Sequence, residues 1–197
     1  MAKKVLVMAT NNSHKLKELR EIVDGEVEIL SLQDINFHDD IPETCDTLEG
    51  NALQKARWIK DRYGYDCLAD DTGLMVDALN GAPGVYSARY AGEGHDSAAN
   101  TRKLLANLEG ADSRRAHFST YIALLIDNDC HIFEGRVDGE ISLQPTGEGG
   151  FGYDPVFVPD EGGGKSFAEM SGEDKNLISH RGRAVRKLVE FLHTLDR

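Results

Sequence analysis

A handful of short segments hold the side chains that could do chemistry. Thr10-Asn11-Asn12-Ser13-His14-Lys15 follows a strand-length apolar run and opens a helix. A helix N-terminus presents unpaired amides and the positive end of the dipole, so such a turn is a natural phosphate cradle. Thr10 and Asn12 offer neutral donors there and Lys15 a cation; equally, Thr10 to Ser13 could simply cap the helix, with Lys15 in solvent. Asp70 and Asp71 stand side by side after the apolar run Cys67-Leu68-Ala69. Side chains alternate along a strand, so the two carboxylates point different ways and do not share one ligand. One can face a cleft while the other satisfies nearby backbone amides. A carboxylate at a strand end, with Glu43 in an acidic loop, could hold Mg²⁺, which takes few carboxylates alongside water and phosphate oxygens. A plain Asp-rich turn is the alternative. Phe151-Gly152-Tyr153-Asp154 combines an aromatic face, a flexible glycine and an acceptor, which is what a stacked base needs. Ser179-His180-Arg181-Gly182 opens the last helix, with Lys175 about one turn earlier. A purine with a 6-oxo group and an N1–H needs a donor and an acceptor together. Lys175, His180 or Arg181 can donate and Asp154 can accept; local capping and solvated charges would account for the same residues.

Two glycine patterns point elsewhere and fail on context. Gly162-Gly163-Gly164-Lys165-Ser166 has the end of a P-loop, but Pro159 stands where its first glycine belongs and no clear helix follows. Gly147-x-Gly149-x-x-Gly152 has the dinucleotide spacing, but it leads into Tyr153-Asp154-Pro155 and an extended run rather than a helix.

The elements that must position these residues follow from periodicity. Val5 to Ala9 reads as a strand, Ser13 to Val23 as a helix, Val27 to Leu30 as a second strand and Gln33 to Asp46 as a loop. Thr47 to Tyr63 has helical spacing. Cys67 to Ala69 and Leu74 to Val76 read as two short strands flanking Asp70-Asp71-Thr72-Gly73. Pro83 could start a short helix holding Tyr86 and Tyr90, and Asp96 could cap a helix reaching Leu108. His117 to Ile126 and His131 to Ile141 form a hairpin around Asp127-Asn128-Asp129, Pro155 to Val158 is extended, and His180 to Leu195 is helical. Strand–helix units mixed with a hairpin mean an α/β fold with a mixed sheet. With no repeat and no linker, residues 1–197 read as one domain.

Bulk composition narrows the partners. The net charge of −12 repels polymeric nucleic acid but not a single nucleotide held by local lysines and a divalent cation. No apolar run is long enough to span a membrane, and the opening Met1-Ala2-Lys3-Lys4-Val5 leads into a run too short for a signal peptide, so a cytoplasmic location is expected. Cys45, Cys67 and Cys130 are odd in number and far apart, which favours reduced thiols over disulfides or zinc.

Taken together, the segments VMATNNSHK, LADDTGL, NGAPGVYSARYAG, TGEGGFGYDPVF and EDKNLISHRGRA resemble, in order and spacing over essentially the whole chain, the inosine triphosphate pyrophosphatase family. Its members are also described as dITP/XTP pyrophosphatases. The resemblance implies an elongated mixed β-sheet with flanking helices, two lobes around a nucleotide cleft, and a homodimer. It implies Mg²⁺-dependent cleavage of ITP, dITP and XTP to the monophosphate and pyrophosphate, for which the expected mechanism is in-line attack of water on the α-phosphorus. It assigns the triphosphate to the segment of Thr10, Asn11, Asn12, Ser13, His14 and Lys15, with Lys55 near the phosphates. Asp71 becomes proton acceptor and metal ligand, and Thr72 a substrate contact. Phe151, Gly152, Tyr153 and Asp154 meet the base, joined by Lys175, His180 and Arg181. Two positions depart from the family. Pro42 replaces the first residue of a Glu-Glu-Thr-Gly run, leaving Glu43 as the candidate second metal ligand, and Gly50 stands where a Glu often precedes Asn51. The rivals are a Maf-type nucleotide pyrophosphatase of different base preference and a non-catalytic nucleotide-binding protein.

Overall fold

The computed structural model describes residues 4–23 and 27–195; Met1, Ala2 and Lys3, read above for a targeting segment, lie outside them. Six strands form one sheet in the order β2-β1-β3-β4-β5-β6. They are β1 (Val5–Met8), β2 (Glu28–Leu30), β3 (Cys67–Val76), β4 (Arg115–Ile126), β5 (Asp129–Ile141) and β6 (Phe157–Pro159). Strand β1 pairs in parallel with both β2 and β3, whereas β5 and β6 are antiparallel, so the sheet is mixed as expected. The helices are α1 (Ser13–Val23), α2 (Leu48–Tyr63), α3 (Ser97–Asn107), α4 (Gly172–Ile178) and α5 (His180–Leu195).

The chain divides into two compact units. The first takes in the chain up to Asp71, Thr120–Glu134 and the chain from Ala184 onward. Strand alternation sets its layers. Leu6 and Met8 of β1 and Leu68 of β3 join Leu19 and Val23 of α1 and Val185, Leu188 and Leu192 of α5 in one apolar cluster. The intervening Val7, Ala9, Cys67 and Ala69 join Ala52, Ala56 and Ile59 of α2 in another. A two-residue period in the strands therefore buries both faces of the sheet under helices. Thr47 caps α2 by accepting from the Gly50 amide at 3.0 Å, and Gly64 ends it in the left-handed conformation.

The second unit, Thr72–Ser119 and Gly135–Arg183, has its own core. Leu74 and Val76, Leu104 and Leu108, Phe118, Val137, Phe157 and Phe167 fill it. Asp96 caps α3 through the Ala99 amide, as its sequence position suggested. The short helix after Pro83 is a 3₁₀ turn, Gly84–Arg89, that ends before Tyr90.

One expectation needs correcting. Asp70-Asp71-Thr72-Gly73 is not a turn between two strands: Cys67 to Val76 run as one strand of 10 residues. Turn-forming residues are carried into a strand by the sheet, in which β3 lies between β1 and β4. Lys175 lies on α4, a helix of 7 residues capped by Ser171 that the periodicity did not reveal.

Candidate active site

Within the first unit, β3 delivers its two carboxylates to opposite faces. Asp70 shares the face of Leu68 and meets α1: Lys15 Nζ lies 3.0 Å from its Oδ2, and the Asp70 side chain is 1% exposed. Lys15 is thus one partner of Asp70. Asp71 shares the face of Ala69 and meets α2. Asn51 Nδ2 donates to its Oδ2 at 3.1 Å, and Lys55 Nζ lies 3.9 Å from its Oδ1. Lys55, itself buried, also donates to Glu43 Oε1 at 2.5 Å.

The electrostatics of this group follow from burial among opposite charges. Burial alone would pull the Lys55 ammonium down, but Asp71, Glu43 and Asp70 outweigh it and hold Lys55 above its ordinary value. Burial pushes the Asp71 carboxyl up; Lys55 and Lys15 oppose the shift, while the nearby Glu43 charge adds to it. Two carboxylates close enough to repel each other form a donor set a hard divalent cation would relieve, and Mg²⁺ needs no more protein ligands than that. Among the described residues no group of three or more His, Cys, Asp or Glu gathers as a closed metal cage.

The turn before α1 is tied to itself. Asn12 Oδ1 accepts from the amides of His14 at 3.0 Å and Lys15 at 3.2 Å, and Thr10 Oγ1 accepts from the Asn12 amide. Thr10 and Asn12 therefore use their oxygens as acceptors in capping, and those three amides are engaged within the turn. Asn11 Nδ2 reaches the Asp39 carbonyl, and Ser13 and His14 are exposed.

Within the second unit, α4 and the start of α5 gather around Phe151. Lys175 Nζ lies 4.8 Å from the Phe151 ring centroid and Arg181 Cζ 5.5 Å from it. Lys175 also donates to Asp154 Oδ2 at 2.8 Å, and the same oxygen accepts from the Phe151 amide at 2.7 Å. Asp154 thus holds Lys175 and the Phe151 turn together, while Arg181 reaches Thr72 Oγ1 at 3.2 Å. Tyr153 is a core residue: it is buried, and its hydroxyl donates to the Ser87 carbonyl. Of the two rings in that run, Phe151, beside Gly152, is therefore the partly buried one. His180 is buried and stacks on Phe118, with centroids 4.6 Å apart and planes 18° from parallel.

Gly182 makes this arrangement possible. A Cβ there would fall 1.9 Å from the Asn176 carbonyl oxygen, so α4 and α5 can meet as they do only if residue 182 lacks one. Sequence reasoning missed Asn51 and Phe118. Asn51 had a signal: with Lys55 it falls on the face of α2 that also buries Leu48, Ala52, Ala56 and Ile59. Phe118 had none beyond its place in a hydrophobic strand.

Similarity to known proteins covers the whole of this framework. The model of the Ham1 family matches residues 6–191. A dITP/XTP pyrophosphatase of Porphyromonas gingivalis is 56% identical over 188 residues, which are 95% of this chain and 96% of that one. One from Flavobacterium johnsoniae is 52% identical over 95% of this chain and 97% of its own. The structure of the Staphylococcus aureus Ham1 protein superposes with a TM-score of 0.88 at 38% identity, covering 97% of this chain and 99% of that one.

Proposed function

The chain belongs to the Ham1 family, and from that premise we infer that it hydrolyses non-canonical purine nucleoside triphosphates such as ITP, dITP and XTP to the monophosphate and pyrophosphate. It is a nucleoside-triphosphate pyrophosphatase, an enzyme that removes deaminated purines from the nucleotide pool. The observation that carries the reading is Asp71, a buried carboxylate with one oxygen bonded to Asn51 and the other facing Lys55.

In the reaction water attacks the α-phosphorus. A new oxygen–phosphorus bond forms as the bond from that phosphorus to its bridging oxygen breaks, and pyrophosphate leaves. Asp71 orients the water and takes its proton as general base. Lys55 and Lys15 offset the charge that grows on the phosphate oxygens. We propose Mg²⁺ as cofactor, with Asp71 and Glu43 as its protein ligands, where it would draw charge from the same oxygens. On the base side, Phe151 offers a stacking face, and Lys175, His180 and Arg181 offer donors for a 6-oxo group. Adenine sets an amino donor against those donors, the kind of mismatch that polar sites reject strongly.

A homodimer in the cytoplasm completes the proposal, and the three free thiols support a reducing compartment. Incubation with ITP and Mg²⁺ tests the reading: IMP and pyrophosphate are expected, whereas IDP and phosphate would refute it.

A further inference from the structure

The segment carrying Glu43 is fastened to α2 residue by residue. Glu43 takes Lys55. The Thr44 amide donates to Gln54 Oε1, and Gln54 Nε2 returns a hydrogen bond to Thr44 Oγ1, both at 2.9 Å. The Cys45 amide donates to Asn51 Oδ1 at 2.9 Å. Asn51 is 1% exposed, and its other side-chain atom, Nδ2, is the one that donates to Asp71 Oδ2.

A primary amide has one acceptor and two donors in a fixed plane. At position 51 the acceptor is spent on the 43–45 segment and a donor on Asp71, so the orientation of one group is read by the other. With Lys55 facing Oδ1 and Asn51 bonded to Oδ2, the rotation of the Asp71 carboxylate is fixed from both sides. The packing requires the neighbour of Asn51 to be small. A Cβ at residue 50 would lie 2.8 Å from Cys45 Cβ and 2.9 Å from Thr47 Oγ1, so Gly50 is what lets the segment lie on the first turn of α2.

We infer that Asn51 is a positioning residue for the hydrolysis: its single amide ties the Glu43 segment to the Asp71 carboxylate and sets the direction in which that carboxylate meets the attacking water. This rests on the reading of Asp71 as the reactive carboxylate. Both polar atoms of the amide are engaged with protein groups, so its loss lowers turnover rather than substrate affinity.

Two variants separate the halves of the amide. Asn51→Asp keeps an acceptor for the Cys45 amide and loses the donor to Asp71; Asn51→Ala loses both. With ITP and saturating Mg²⁺, Asn51→Asp should lose kcat by roughly 10- to 100-fold, the scale of one hydrogen bond to a charged group. Its KM should stay within about threefold of native. In the metal-free protein, hydrogen exchange at the Cys45 amide should stay slow in Asn51→Asp and become fast in Asn51→Ala. Should either variant fail to fold, the native metal-free protein still decides the matter by NMR: the Nδ2 protons of Asn51 should exchange slowly and shift when Asp71 is changed to Asn. Native kcat in Asn51→Asp, or fast Nδ2 exchange indifferent to Asp71→Asn, overturns the inference. Assaying Asp71→Asn alongside tells two failures apart. An active Asp71→Asn sinks the catalytic reading and this inference with it; an inactive one beside a fully active Asn51→Asp sinks only the role of Asn51.

Discussion

Changing Gly182 to Ala adds one methyl group at the tightest point of the second unit. The new carbon would start 1.9 Å from the Asn176 carbonyl oxygen and 2.9 Å from its carbonyl carbon, where ordinary contact begins at 3.4 Å. Both obstacles are backbone, so no flexible side chain can swing aside. The first turn of α5 must therefore retreat from α4 by more than an ångström, carrying His180 and Arg181 with it. Such overpacking typically costs about 1–3 kcal/mol. Alanine's better helix propensity returns up to about 1 kcal/mol. A net loss near 1–2 kcal/mol corresponds to a fall in Tm of roughly 2–8 °C for a chain of this size. The effect on catalysis should be larger, because a displacement of about 1 Å in a positioned group can cost on the order of 10²-fold. Thermal unfolding followed by circular dichroism and kcat/KM for ITP measure the two effects. Gly172→Ala is the control: nothing lies within 4 Å of a Cβ there, so it should be neutral or slightly stabilising. A Gly182→Ala protein with native kcat/KM would show that the α4–α5 contact does not set the positions of His180 and Arg181.

Other perturbations test other parts of the site and fold. Lys15→Met removes the cation beside the buried Asp70 and should cost about 3 kcal/mol in chemical denaturation; adding Asp70→Asn should restore much of that stability but not the activity, unless Lys15 serves only to neutralise Asp70. Thiol labelling should modify Cys130 quickly, Cys45 more slowly and Cys67 only on unfolding, since Cys67 is buried and its thiol is pushed up to about 12; rapid loss of all three thiols in native protein would contradict the packing under α2. Glu169 is held below its ordinary 4.5, first by the Ser166 amide, so its contribution to stability is full above that value and fades as pH falls through the folded value. Glu169→Gln should therefore narrow the drop in Tm between roughly pH 5 and pH 3, and an unchanged drop would mean that the capping pair adds nothing to folding.

What the sequence made legible depended on whether local signals or distant partners decide a segment. The bounds of α1 and α5 were readable because their apolar residues recur with helical spacing over 11 and 16 residues. Strand β3 was misread because Asp70 to Gly73 carry turn chemistry locally, while pairing with neighbouring strands comes from chain far away in sequence. Helix α4 was missed because 7 residues, largely polar, give no period to read. At the site, residue types were readable but partnerships were not. The bond between Lys175 and Asp154, each assigned to a base, was not foreseen, and the use of the Thr10 and Asn12 oxygens by amides of their own turn was only one of two readings. Asn51 was hidden because a buried polar residue shows its purpose only once the chain at Cys45 and Asp71 is brought to it.

Strand β3 also constrains how this chain can change over evolutionary time. Asp70 and Asp71 are consecutive on one strand, and each face of that strand is claimed by a different helix. Inserting or deleting a single residue before them, within the strand, would exchange the two faces. The carboxylate destined for Lys15 would then be offered to Asn51 and Lys55, and every alternate apolar residue would change sides with it. Substitutions along β3 can be accepted one at a time; a change in its length cannot. Descendants that keep the activity should therefore align across residues 67–76 without a gap, however far their loops have diverged.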